Sequence, residues 1–104
     1  MVKLKNAHPG EVLLKDFLEP LGISQNKLAS RIFVSPCRIS EIVLGKRSIT
    51  VDTALRLSRY FENSDKFWMG LQDDYALEGS KSKIAGALKR ISSHAAWEKS
   101  QGVL

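Results

Sequence analysis

The sequence is poor in the residues from which disulfide, metal and membrane proteins are built. Its 104 residues hold one cysteine and two histidines. Cys37 alone cannot form an internal disulfide, so a reducing compartment fits. His8 and His94 lie far apart without ligand-spaced companions, and no metal site is expected. Three prolines and seven glycines are too few for a sandwich of many turns or for a disordered chain. No stretch is apolar enough to span a bilayer. Met1 to Pro9 has no apolar run of the signal-peptide kind. A glycine-rich phosphate loop and a spaced nucleophile–base pair are also missing, so an enzyme is the least favoured class and no cofactor is implied. The expectation is a soluble cytoplasmic protein of one domain.

What the chain does have is helical periodicity and positive charge. No segment shows strand period, so the fold class is all-α. The net charge is +5 and the pI near 9.6, which points to a polyanionic partner without identifying one.

The organising stretch is Ser24 to Gly45. Ser24 is an N-cap, and Leu28, Ala29 and Ile32 then share one face. Phe33 and Val34 leave that helix. Ser35 caps the next, with Pro36 at its first position, where no donor is lost. Ile39, Ile42 and Val43 face inward, and Gly45 is a stop. Two short helices with apolar inner faces and a tight turn make a helix-turn-helix. Its second helix would lay the outward face of Pro36 to Leu44 in a DNA major groove.

The rest of the chain is read around that unit. Residues 1–7 are expected to form a flexible arm and His8-Pro9-Gly10 a turn. Glu11 to Leu18 is an amphipathic helix, ended by Glu19-Pro20-Leu21-Gly22. Thr50 caps a helix over Val51 to Glu62, with Val51, Ala54, Leu55, Ser58 and Phe61 inward and Arg56 and Arg59 outward. Ser64 caps another, striped by Phe67, Trp68, Leu71 and Tyr75. That stripe suits core better than a partner surface. Glu78-Gly79-Ser80 is expected to be a hinge, Lys81 to about Ala96 a sixth helix, and 98–104 a frayed end. The division is a DNA-binding unit over 1–79, with its motif at 24–45, and a C-terminal helix and tail over 80–104.

Charge is distributed unevenly. Between Ser24 and Thr50, Lys27, Arg31, Arg38, Lys46 and Arg47 stand against Glu41 alone. Between Asn63 and Gly79, four acids stand against Lys66. The basic surplus therefore falls on the proposed reading unit, which makes a DNA face more credible than total charge does.

Several of these stretches resemble one family. His8-Pro9-Gly10-Glu11, Leu18-Glu19-Pro20-Leu21-Gly22, Ser24-Gln25, Ile39-Ser40-Glu41-Ile42, Gly45-Lys46-Arg47, Thr53-Ala54-Leu55-Arg56-Leu57 and Phe67-Trp68 are similar, in order and spacing, to the HigA antitoxins, also called virulence-associated protein I. These belong to the Xre/Cro-type helix-turn-helix class. The resemblance covers roughly residues 7–79. It implies a lambda-repressor-like five-helix domain, here with an extra C-terminal helix. It also implies a homodimer that represses its own operon and neutralises a RelE-like mRNA-cleaving toxin. Phe33 departs from the family pattern, standing where a glycine is frequent. Cys37 and Ser40 stand where basic or amide side chains are more usual.

The candidate DNA-binding residues are Gln25, Lys27, Ser35, Pro36, Cys37, Arg38, Ser40, Glu41, Lys46 and Arg47. A helix N-terminus favours an anion, so Gln25 can grip a phosphate or be simply solvated. The resemblance implies the former. Arg38 can donate twice to guanine, clamp a phosphate, or be a surface charge. Cys37 can touch a thymine methyl or be inert. Glu41 can accept from cytosine, repel wrong bases, or be an ordinary surface acid. Lys46 and Arg47 should reach flanking phosphates, with Lys27 and Arg31 weaker candidates. Ile84, Leu88 and Ile91 form a stripe for a second copy or the toxin, unless it packs back on its own domain. Two other readings remain: a DNA-binding regulator without a toxin, and an interaction module that no longer binds DNA.

Overall fold

A computed structural model describes residues 7–101. Among them every regular element is a helix. The proposed N-terminal arm lies outside the described residues except for Ala7, and 102–104 lie outside as well.

The first helical rod starts earlier and ends later than its periodicity suggests. His8 is its cap, not part of a turn: the imidazole Nδ1 accepts from the Gly10 N–H at 2.9 Å. Pro9 then occupies the first position of α1 (Pro9–Val12), where its missing donor costs nothing. The rod continues through a π-helical segment, Leu13–Leu18, into α2 (Glu19–Leu21). The wide turn accommodates Pro20, which has no N–H for the ladder; the Glu19 N–H reaches back to the Leu14 carbonyl. Gly22, at φ 67°, ends the rod in the left-handed conformation that glycine adopts without strain. Val12, Leu13 and Leu18 are buried.

The central pair forms as its caps dictate. The Ser24 hydroxyl accepts from Lys27 N–H ahead of α3 (Gln25–Arg31), and Ser35 does the same for Arg38 ahead of α4 (Pro36–Val43). Leu28, Ala29, Ile32, Ile39 and Ile42 seal the inner faces, while Val43 is half-buried. Gly10 lets the rod lie directly on α4: a Cβ there would sit 1.8 Å from the Ile42 carbonyl oxygen. Only glycine permits that approach.

Helix α5 (Val51–Phe61) is rotated from its expected register. Thr53, Ala54 and Leu57 face the core, whereas Val51 and Leu55 are 61% and 50% exposed. Two overlapping stripes share Ala54, and periodicity alone does not choose between them. The adopted one buries Leu57 and turns Asp52 toward α4. Arg56 is also not simply outward; it is half-buried and hydrogen-bonded.

Helix α6 (Asp65–Lys83) closes the core and then leaves it. Trp68 is fully buried, its Nε1–H donating to Asn63 Oδ1 at 2.9 Å. The Phe17 ring packs tilted against Phe61 and Trp68, each at 4.9 Å between ring centroids. Phe67 and Leu71 are half-buried, so this stripe is core down to Tyr75, an exposed ring set edge-on against His8. Gln72 is buried and accepts the Ile49 N–H at 2.8 Å, tying α6 to the loop after α4.

The hinge expected at Glu78-Gly79-Ser80 is absent. α6 runs through it to Lys83, because an exposed glycine weakens a helix without breaking it. The single sixth helix is instead two: α7 (Ala85–Arg90) and α8 (His94–Gln101), separated where Ile91 turns extended. The expected frayed end is helical up to Gln101. Residues 79–99 are exposed throughout. The radius of gyration, 19.1 Å, exceeds the roughly 13 Å of a compact chain this long, because this extension projects from the globule. No helix among the described residues is long and apolar enough to cross a membrane.

Candidate nucleic-acid interface

Most of the candidate residues fall into one neighbourhood: the start of α3, the outer side of α4 and the loop after it. Gln25 is the first residue of α3 and half-buried, with Lys27 exposed two residues on, in the same turn. The Ser24 hydroxyl satisfies the Lys27 N–H at 3.0 Å. The N–H groups of Gln25 and Asn26 have no helical partner at this terminus, as the geometry of a helix start requires, and remain open to an anion.

On α4, Pro36 and Cys37 are exposed, and Arg38, Ser40 and Glu41 are half-buried. Ser35 is exposed but partly committed, since its hydroxyl accepts the Arg38 N–H at 3.1 Å. Neither Arg38 nor Cys37 is sealed in the core, and the exposed C-terminal extension does not enclose that edge. Cys37 is a free thiol.

Arg38, Glu41 and Arg47 are each held in an ion pair. Arg38 NH1 donates to Asp52 Oδ2 at 2.8 Å. Arg47 grips Glu41 Oε1 through NH2 at 2.6 Å and Nε at 2.8 Å. The Arg47 guanidinium, helped by the Cys37 thiol, holds the Glu41 carboxyl below the usual range. Each of the two side chains is pre-oriented by the other. Lys46 is exposed, and no ion pair engages it among the described residues. Its backbone N–H and that of Arg47 both donate to the Glu41 carbonyl, at 2.8 and 3.2 Å. This pair of backbone hydrogen bonds fixes the basic loop against the end of α4, with Gly45 at φ 79° making the turn. Arg31 points elsewhere: its NH1 donates to the Tyr60 hydroxyl at 2.6 Å.

Two residues of this face were not among the sequence candidates. Asp52 and Arg56 come from α5 and meet α4 and the turn only in the folded chain. Their spacing of four predicts that they pair with each other. Nothing in the sequence pairs Asp52 with Arg38. Ile84, Leu88 and Ile91, by contrast, lie on the projecting extension and are exposed, Ile91 by 70%. They do not pack back into the core and take no part in the α3–α4 face.

The arrangement is a solvent-facing helix edge flanked by a helix N-terminus and an exposed lysine. It can accept a phosphate at each flank and present side chains to base edges between them. Residues 14–67 match the family model described as helix-turn-helix. The chain is 49% identical over 71 residues to virulence-associated protein I of Dichelobacter nodosus, a match covering 68% of this chain and 66% of that protein. Among solved structures, the Pseudomonas aeruginosa antitoxin HigA with the higBA promoter is similar. It aligns with a TM-score of 0.81 and 36% identity over 86% of this chain and 97% of that one. PA4674 from Pseudomonas aeruginosa, in complex with its operator DNA, aligns with a TM-score of 0.82 and 36% identity over 88% and 99% of the two chains. The chain accordingly belongs to the helix-turn-helix family, in the group of virulence-associated protein I and the HigA antitoxins.

Proposed function

We propose that the protein is a sequence-specific DNA-binding repressor and the antitoxin of a HigBA-like toxin–antitoxin pair, autoregulating its own operon. One observation carries the reading: the outer edge of α4 is open between two phosphate-suited flanks, in a fold shared with proteins solved on promoter and operator DNA. It acts by binding, in the cytoplasm, and not by catalysis. Gln25 and its neighbouring N–H groups, Lys27, Ser35, Lys46 and Arg47 hold the backbone. Pro36, Cys37, Arg38, Ser40 and Glu41 face the bases. A homodimer sets two copies of α4 one helical turn of DNA apart, about 34 Å, on a two-fold operator. The exposed Ile84, Leu88 and Ile91 supply the contact for a second copy or for a RelE-like toxin.

The test is a binding titration on the protein's own promoter at several salt concentrations. Arg38→Ala should weaken operator binding by about 1–3 kcal/mol and relax sequence preference, while Lys46→Ala should weaken all sequences alike and lower the salt slope by about one. A folded Arg38→Ala protein with undiminished operator affinity removes Arg38 from base reading. Copurification with the product of the neighbouring gene tests the antitoxin half. A stable complex with a small ribonuclease supports it, and a chain that purifies alone reduces the protein to a regulator.

A further inference from the structure

Arg38 is the end of a chain of polar contacts that begins at the turn of the motif. Arg56 NH1 donates to the carbonyl oxygens of Ile32 and Phe33, at 2.8 and 3.3 Å, where α3 has just ended. Arg56 Nε lies 3.1 Å from both carboxylate oxygens of Asp52. Asp52 Oδ2 in turn accepts from Arg38 NH1 at 2.8 Å. The turn, α5 and α4 are thereby joined through three side chains.

An aspartate here is electrostatically out of place. Hydrogen bonding from Arg38, then from Arg56, holds its carboxyl below the ordinary range, so it is charged whenever DNA binding is measured. A fixed negative charge beside a surface meant for phosphates weakens non-specific attraction. What it provides instead is direction. A guanidinium carries five donors in a rigid planar fork. Asp52 engages NH1 and leaves the edge formed by Nε and NH2 open among the described residues.

Resting on the DNA-binding reading above, we propose that Asp52 is a specificity-determining positioning residue. It holds Arg38 by one terminal nitrogen so that the opposite edge of the fork meets a guanine, and it denies the side chain the swing to the nearest phosphate. Arg56 anchors Asp52 to the turn, so the aim of Arg38 is set by the tertiary packing of α5 on the motif.

The experiment measures affinity for the promoter operator and for a scrambled duplex of equal length at one salt concentration, and takes their ratio. Asp52→Asn removes the charge at nearly constant shape. It should tighten binding to the scrambled duplex and lower the operator preference about tenfold, the order of one lost bidentate base contact. Asp52→Glu should recover part of that preference. In an Arg38→Ala background, Asp52→Asn should leave the ratio where Arg38→Ala put it, since the aspartate acts only through the arginine. Asp74→Asn, which removes an exposed charge on α6, should change the ratio less than twofold. Should Asp52→Asn melt below the assay temperature, Asp52→Ser, which suits a first helical turn, makes the same measurement. A ratio that stays level or rises on loss of Asp52, or that falls equally without Arg38, overturns the proposal. Wild-type protein that binds both duplexes alike overturns the DNA reading itself, and that is read before any variant is made.

Discussion

His8 shows how much one side chain can settle. Its ring caps α1, accepting the Gly10 N–H at Nδ1, and lies edge-on against Tyr75. Accepting there places the proton of the neutral ring on Nε2. Burial lowers its pKa from the ordinary value, and Glu11 opposes this only in part. The sign follows. Above about pH 6.5 the ring is neutral in both the folded and the unfolded chain. As pH falls through that value, the unfolded chain takes up the proton first, and stability drops until the folded ring also protonates. Thermal melts at pH 7.5 and 5.5 should show wild type losing stability over this window. His8→Asn, which keeps a capping acceptor but does not titrate, should lose less. The sequence marks His8 only as part of a turn. That it caps a helix depends on Pro9 and Gly10 entering that helix, and this requires the close seat of Gly10 on the Ile42 carbonyl.

At the scale of elements, the turn between α3 and α4 is one of two places among the described residues where a residue other than glycine takes a left-handed backbone, the other being Glu62 after α5. Phe33 has φ 60° and is 86% exposed. An L-residue with a side chain is strained in that region, where glycine is not. The departure seen in the sequence, phenylalanine where the family often has glycine, thus has a conformational cost. Arg56 offsets part of it by binding the Phe33 carbonyl. Phe33→Gly should raise stability by about 0.5–1 kcal/mol in chemical denaturation, since little buried area is lost and the backbone strain is relieved. An unchanged or lowered midpoint would show that the aromatic ring holds the turn in some other way. Helices α3, α4, α5 and α6 were legible because each begins at a Ser or Thr cap whose hydroxyl does bond an N–H of the first turn: Ser24, Ser35, Thr50 and Ser64. The register of α5 was not, because Leu55 and Leu57 are equally apolar and only the packing of neighbours selects Leu57.

For the whole molecule, the notable property is the extension beyond the core. A folded globule ends near Gln72, and the chain continues through the rest of α6, α7 and α8 with Leu77, Ile84, Leu88, Ile91 and Trp97 exposed. Exposed apolar residues this close in sequence suit association better than isolation in water. Ile84→Asp combined with Leu88→Asp should leave the melting temperature of the helix-turn-helix unit nearly unchanged, because neither side chain touches the core. On the proposed homodimer reading, sedimentation should report a dimer for wild type and a monomer for the double variant. A monomeric wild type would leave this stripe to a different partner.

By itself the sequence determined the all-helical class, the capped pair at its centre and the basic bias of that pair. These are local properties, set by hydroxyls at helix starts, by apolar spacing and by side-chain charge. The tertiary structure alone decided which stripe of α5 turns inward, how far α6 runs past Gly79, and that Arg38 meets Asp52 across two helices. Each of those depends on residues distant in the chain competing for the same space, and no local pattern records the outcome of that competition.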